Sequence, residues 1–192
     1  SAVGASDLLR AAKVFASVDA AVADCQSVIA TTSARRRRMR QPSLELPTAP
    51  QALQRGQTGA GRIAILFGSE KTGLPQEILD KSSHLLVIPT HPACPTMNLA
   101  ASVAVCCYEF SKAQGSPRKV RGLRDAPIGF KQKENLIGQT LEMFKHVGYL
   151  AHLPQAEVCK RLWNLFNQWD VRGRHAALIA GLVRKINRGA SQ

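Results

Sequence analysis

Arg62-Ile-Ala-Ile-Leu-Phe-Gly-Ser-Glu-Lys-Thr-Gly-Leu74 and Leu85-Leu-Val-Ile-Pro-Thr-His-Pro-Ala-Cys-Pro-Thr-Met-Asn-Leu-Ala100 decide the fold of this chain. Ile63 to Phe67 is a short apolar run ending at Gly68, the pattern of a buried strand in a parallel sheet. Gly68, Glu70, Thr72 and Gly73 then make a loop, and Pro75 suits the first turn of a helix. His84 to Ile88 reads as a second strand, stopped by Pro89. Asn98 is a good N-cap for a helix beginning at Leu99. Through Cys107 that helix carries apolar or small residues on every side, which predicts burial all round. Two strand ends and a helix N-terminus thus meet around two loops. In an open α/β sheet that is where a ligand binds.

Phe67-Gly-Ser-Glu-Lys-Thr-Gly-Leu74 resembles the second motif of the SpoU branch of the SPOUT RNA methyltransferases. Ile88-Pro89 followed by Met97-Asn-Leu-Ala-Ala-Ser-Val-Ala-Val105 resembles the third, at the family's spacing. A Rossmann phosphate loop is the rival reading, but no Gly-x-Gly-x-x-Gly is present. A plain strand-rich core explains the apolar runs and leaves Gly-x-Glu-x-x-Gly and Met-Asn-Leu-Ala unexplained.

The chain has 192 residues, enough for one α/β domain and a small appendage. Hydrophobic residues make up 45%, and 26 Lys and Arg against 13 Asp and Glu give a net charge of +13. Such an excess favours a polyanionic partner: RNA first, an anionic membrane less well. No apolar run approaches the ~20 residues of a membrane helix. The five cysteines are odd in number and show no paired spacing, so they read as reduced thiols of an intracellular protein. A basic chain that begins Ser1-Ala-Val points mildly to a mitochondrial compartment, otherwise to the cytoplasm.

Residues 1–34 continue the α/β pattern. A short helix is expected over Ser6–Lys13 with Ser6 as cap, a strand over Val14–Val18, a helix over Asp19–Asp24 and a strand over Ser27–Ala30. Gly4-Ala-Ser-Asp-Leu-Leu9, Ala23-Asp-Cys25 and Val28-Ile-Ala-Thr-Thr-Ser-Ala-Arg35 resemble the TrmJ-like subgroup of transfer-RNA ribose methyltransferases. That resemblance gives the turn Thr32-Ser33-Ala34 a part in holding the methyl donor; a plain strand-to-loop turn is the bland alternative. Five arginines follow: Arg35, Arg36, Arg37, Arg38 and Arg40. A solvated loop or a nuclear signal would look the same by charge. Next to a ligand-binding turn, phosphate gripping is the better reading, because guanidinium forks match phosphate oxygens. Arg35 and Arg37 match the subgroup's RNA-binding arginines. Gln41 to Gly61 is polar and rich in Pro and Gly, and reads as a mobile surface loop.

Other chemistry is poorly supported. Glu70 has the valence of a general base, but the resemblance makes it structural, steadying the loop. His84, His91 and Cys94 lack a fourth ligand for zinc, and the family carries no metal. Cys106 and Cys107 read as core packing. Ser111 to Ala126 is a basic linker. Beyond it, Leu136, Thr140, Phe144 and Val147, then Val158, Leu162, Leu165, Phe166 and Trp169, then Leu178, Leu182, Val183 and Ile186 fall at helical spacing. These three stripes read as packing faces and resemble the subgroup's helical C-terminal extension. His175 stands where the family usually has an acidic residue.

The resemblance implies an α/β fold: a SPOUT trefoil-knot parallel-sheet domain over 1–113, a basic linker over 114–126 and a small all-helical domain over 127–189. It implies a homodimer and S-adenosyl-L-methionine as cofactor, cradled by Leu66, Phe67, Gly68, Glu70, Ile88, Thr96, Met97 and Asn98 together with Thr32, Ser33 and Ala34. The expected activity is 2′-O-methylation of RNA ribose, on tRNA or rRNA. A non-catalytic RNA-binding or ribosome-assembly factor is the alternative. The family's first motif, a strand followed by an Asn and a catalytic Arg, matches nothing at residues 1–20, and its counterpart would lie upstream of Ser1. Among these residues Thr96 is then the candidate catalytic hydroxyl, and a Thr alone is too weak a base for a ribose hydroxyl.

Overall fold

Four strands form one parallel sheet: β1 (Ser27–Thr31), β2 (Ser43–Glu45), β3 (Ile63–Leu66) and β4 (His84–Val87), in the order β2-β4-β1-β3. The structure is a computed structural model that describes residues 4, 6–33, 41–56, 61–113, 127–150, 153–169 and 171–189. Ala30 lies opposite Leu66 on one side of β1, and Thr31 opposite Leu86 on the other. Alternation along the strands sorts the core into two faces. Ile29 and Leu86 face Leu46, Ala49, Leu53 and Cys106. Val28 joins a second cluster with Val22, Phe130, Leu162 and Trp163, and Ala30 and Leu85 pack on Leu79. With both faces covered, uninterrupted apolar runs are what a parallel strand needs.

The helices are α1 (Ser6–Arg10), α2 (Val18–Val22), α3 (Ala49–Gly56), α4 (Gln76–Lys81), α5 (Leu99–Lys112), α6 (Phe130–His146), α7 (Gln155–Gln168) and α8 (Gly173–Gly189). Asn98 caps α5 as expected, accepting from the Ala100 and Ala101 amides. The last three helices do not form a core of their own. Phe130 stacks on Trp163 at 5.0 Å, and both belong to the cluster that holds Val28 of β1. The Phe130 amide donates to the Cys25 carbonyl just ahead of β1, at 2.9 Å. No helix among the described residues is long and apolar enough to cross a membrane.

Several expectations fail locally. Val14–Val18 is not a strand. Val14 is fully exposed, and Ser17 instead caps α2 by accepting from the Ala20 amide. Ser6 is the first helical residue rather than a cap. Within 41–61, the expected mobile loop contains β2 and α3, with Leu46, Ala49 and Leu53 buried. Pro50 sits in the first turn of α3, where its missing N–H costs nothing. α5 is not enclosed: Cys106 is its one buried residue, while Ala100, Ala101, Ala104, Cys107, Tyr108 and Ser111 are exposed. On α8 the stripe Leu178, Leu182 and Ile186 faces outward, and Val183 is buried with Ala176, Ile179 and Ala180 on the packed side. On α7, Val158, Leu162 and Phe166 are buried, whereas Leu165 and the C-cap Trp169 are exposed.

Candidate donor site at the strand ends

The C-terminal ends of β3, β1 and β4 form one rim. The Thr31 hydroxyl donates to the Leu66 carbonyl at 2.8 Å, and the Thr32 amide donates to the Leu86 carbonyl at 3.0 Å. The end of the central strand is thereby tied to both neighbours. Thr31 was not among the expected site residues. A threonine ending a buried strand is the signal that could have marked it, because its hydroxyl must find a local acceptor.

The first loop, Gly68–Leu74, folds back on itself. The Gly73 amide donates to the Ser69 carbonyl at 2.9 Å, the Ser69 and Thr72 hydroxyls meet at 2.7 Å, and the Thr72 amide donates to Ser69 Oγ at 3.2 Å. Gly73 has φ +68°, a left-handed conformation that glycine adopts freely. Gly68 is needed for a different reason. A Cβ there would sit 2.1 Å from the Gly73 carbonyl carbon and 2.2 Å from the Leu74 nitrogen. What comes close to Gly68 is the loop's own backbone.

The second loop runs from Ile88 to Asn98. The Cys94 amide donates to the His91 carbonyl at 2.8 Å, and the Ala93 amide to His91 Nδ1 at 3.2 Å. The loop ends on Asn98, whose side chain works in two directions. Its Oδ1 accepts from the Ala100 and Ala101 amides at 2.9 and 3.3 Å, and its Nδ2 donates to Glu70 Oε1 at 3.1 Å. One residue therefore caps α5 and tethers the first loop to the second. The Glu70 carboxylate also lies by the positive end of α5. The family resemblance implies a steadying role for Glu70, and its partner is Asn98.

Leu66, Phe67, Gly68, Ile88 and Thr32 are half-buried on this rim, and Ser33, Glu70, Thr96, Met97 and Asn98 are exposed. Ala34 and Arg35, Arg36, Arg37, Arg38 and Arg40 lie outside the described residues. Among the described residues no group of three His, Cys, Asp or Glu side chains is placed to hold a metal ion. All five cysteines are unpaired thiols. Burial, with a smaller push from Cys107, raises the Cys106 thiol to about 11, so it packs and does not react. Cys107, expected in the core, lies on the open face of α5.

Residues 1–108 match the SpoU rRNA methylase family. The chain belongs to the SpoU rRNA methylase family. A tRNA (cytidine/uridine/adenosine-2′-O-)-methyltransferase TrmJ of Pseudomonas aeruginosa is 28% identical, over 99% of this chain and 79% of its own length. A tRNA (cytidine/uridine-2′-O-)-methyltransferase TrmJ of Yersinia pestis is 27% identical, over 96% of this chain and 73% of its own. The crystal structure of TrmJ from Z. mobilis superposes with a TM-score of 0.80 at 27% identity, covering 96% of this chain and 78% of that one. These relatives match across the sheet and the three last helices alike. This SpoU family chain is thus similar to TrmJ proteins well beyond the two motif loops.

Proposed function

We propose that this chain is an S-adenosylmethionine-dependent ribose 2′-O-methyltransferase acting on RNA, with tRNA as the substrate class that the names of its relatives favour. The Glu70–Asn98 hydrogen bond carries the reading, because it fastens the two motif loops together over one strand rim. Backbone groups of Leu66, Phe67, Gly68, Ile88, Met97 and Asn98, with Thr32, Ser33 and Ala34, would hold the donor there. Bound S-adenosylmethionine would supply the methyl group. The chain's own part is to align the donor with a ribose hydroxyl, and alignment is a large share of such a barrier. The five arginines of 35–40 and a net charge of +13 suit phosphate binding. We assign 1–113 to the knotted methyltransferase domain and 127–189 to its helical extension. The exposed small and apolar face of α5 supports a homodimer, with a second copy covering it. Unpaired thiols fit an intracellular compartment, cytoplasmic or mitochondrial.

The test is calorimetry with S-adenosylmethionine and its demethylated product, followed by tritiated-methyl transfer to bulk tRNA and rRNA. Donor binding with methyl transfer to tRNA ribose is expected. No donor binding at millimolar ligand would replace this reading with that of a non-catalytic RNA-binding or ribosome-assembly factor.

A further inference from the structure

α4 has six residues, of which Leu79 alone is fully buried, and a helix that short has little stability of its own. Its place in the chain is nonetheless central. The loop Gly68–Leu74 enters its N-terminus, and its C-terminus leads through Ser82 and Ser83 into β4, which ends at the second loop. Whatever fixes the last turn of α4 therefore fixes the roots of both loops. Side chains from other elements converge on that turn. Asn167 of α7 donates to the Ser82 carbonyl at 3.0 Å and to the Lys81 carbonyl at 3.4 Å. Asn167 Oδ1 accepts from Lys133 of α6 at 3.0 Å. Gln41, 6% exposed, donates to the Asp80 carbonyl at 3.2 Å and to Oδ1 of Asn164 at 3.1 Å. Lys160 pairs with Asp80 at 3.0 Å.

Packing two asparagines into this seam is a poor way to gain stability. Asn164 is 8% exposed, and its Nδ2 is buried without a partner among the described residues. A buried amide with an unmet donor is no better for stability than a leucine of similar size. What amides add is direction: they hold particular carbonyls at particular distances. We infer that Asn167 is a positioning residue for the donor site, with Asn164 and Gln41 in support. The helical extension clasps the last turn of α4 and so sets the spacing of the two donor loops. The inference rests on the donor site proposed above.

Asn167→Asp tests it with the intact chain. The aspartate keeps an acceptor for Lys133 and strengthens that contact, while turning an oxygen toward the Lys81 and Ser82 carbonyls. Asn167→Leu removes the three contacts to Lys133, Lys81 and Ser82, and Gln41→Leu removes those to Asp80 and Asn164. Each variant should weaken binding of the demethylated donor about three- to ten-fold by calorimetry. Amide exchange at Gly68–Leu74 should quicken, with melting temperatures within about 4 °C of wild type. Wild-type donor affinity in any folded variant overturns the inference. So does unfolding of all three, since the clasp would then support the whole fold. If the wild-type chain itself binds no donor, the functional reading fails first.

Discussion

Asn98→Asp separates the two jobs of one side chain. Asn98 caps α5 through Oδ1 and tethers Glu70 through Nδ2. Replacement by Ala removes both, and an Asn cap is worth about 1 kcal/mol. In a chain of this size that lowers the melting temperature by about 3 °C. Replacement by Asp keeps the acceptor for the Ala100 and Ala101 amides and places a charge at a helix N-terminus, which that end favours. It also sets a carboxylate against Glu70 in place of a donor. Both residues are exposed, so solvent weakens the contact, and a two- to five-fold loss of donor affinity is about what a screened hydrogen bond yields. The second change is Glu70→Gln. With Asp at 98, the glutamine amide donates where the asparagine amide donated before, and the tether is rebuilt with its polarity reversed. Calorimetry with the demethylated donor, beside a thermal melt, reads both jobs. We expect Asn98→Asp to melt like wild type but bind weakly, and the double variant to recover. Wild-type affinity in Asn98→Asp, or no recovery in the double variant, would refute the tether.

Gly68→Val should both weaken donor binding and lower the melting temperature, because its side chain would overlap Gly73 and Leu74; differential scanning calorimetry beside a binding isotherm reads the two effects. His84 is held below its ordinary value of 6.5 by burial and then by the Lys133 charge. Its contribution is therefore complete above pH 6.5 and is lost as pH falls through the lower folded value. Melting temperature should decline over that acid range, and His84→Val should flatten that part of the profile.

The motif-bearing strands and the cap on α5 were legible because each rests on a local rule: apolar run, glycine stop, asparagine before a helix. What local rules could not supply was the outside of each helix. α8 is apolar on two sides, and its larger residues, Leu178, Leu182 and Ile186, suggested the packed one. Of the expected stripe Leu178, Leu182, Val183 and Ile186, Val183 alone is buried, and it packs with Ala176, Ile179 and Ala180. α5 misled in the same way, for it is apolar or small all round and yet buries Cys106 alone. Pro50 counted toward an expected loop over 41–61, yet it is the second residue of α3. In the site, Glu70 and Asn98 were each visible, but their meeting depends on two loops 28 residues apart in sequence. The clasp on α4 joins residues farther apart still, and no periodicity records it.

No two consecutive strands of this sheet are neighbours. Val28 lies opposite Ala64, Ile29 opposite His84 and Ser43 opposite Leu85, so every pairing closes a long loop. Hairpin formation, the fast local event that starts many sheets, has no counterpart in this sheet. During synthesis β2 must wait for β4 before it has a partner. Until then Leu44 and Leu46 have no sheet to join, and β1 is bare on one side. The refolding rate of this protein should be limited by the arrival of β4, the strand that both β1 and β2 require.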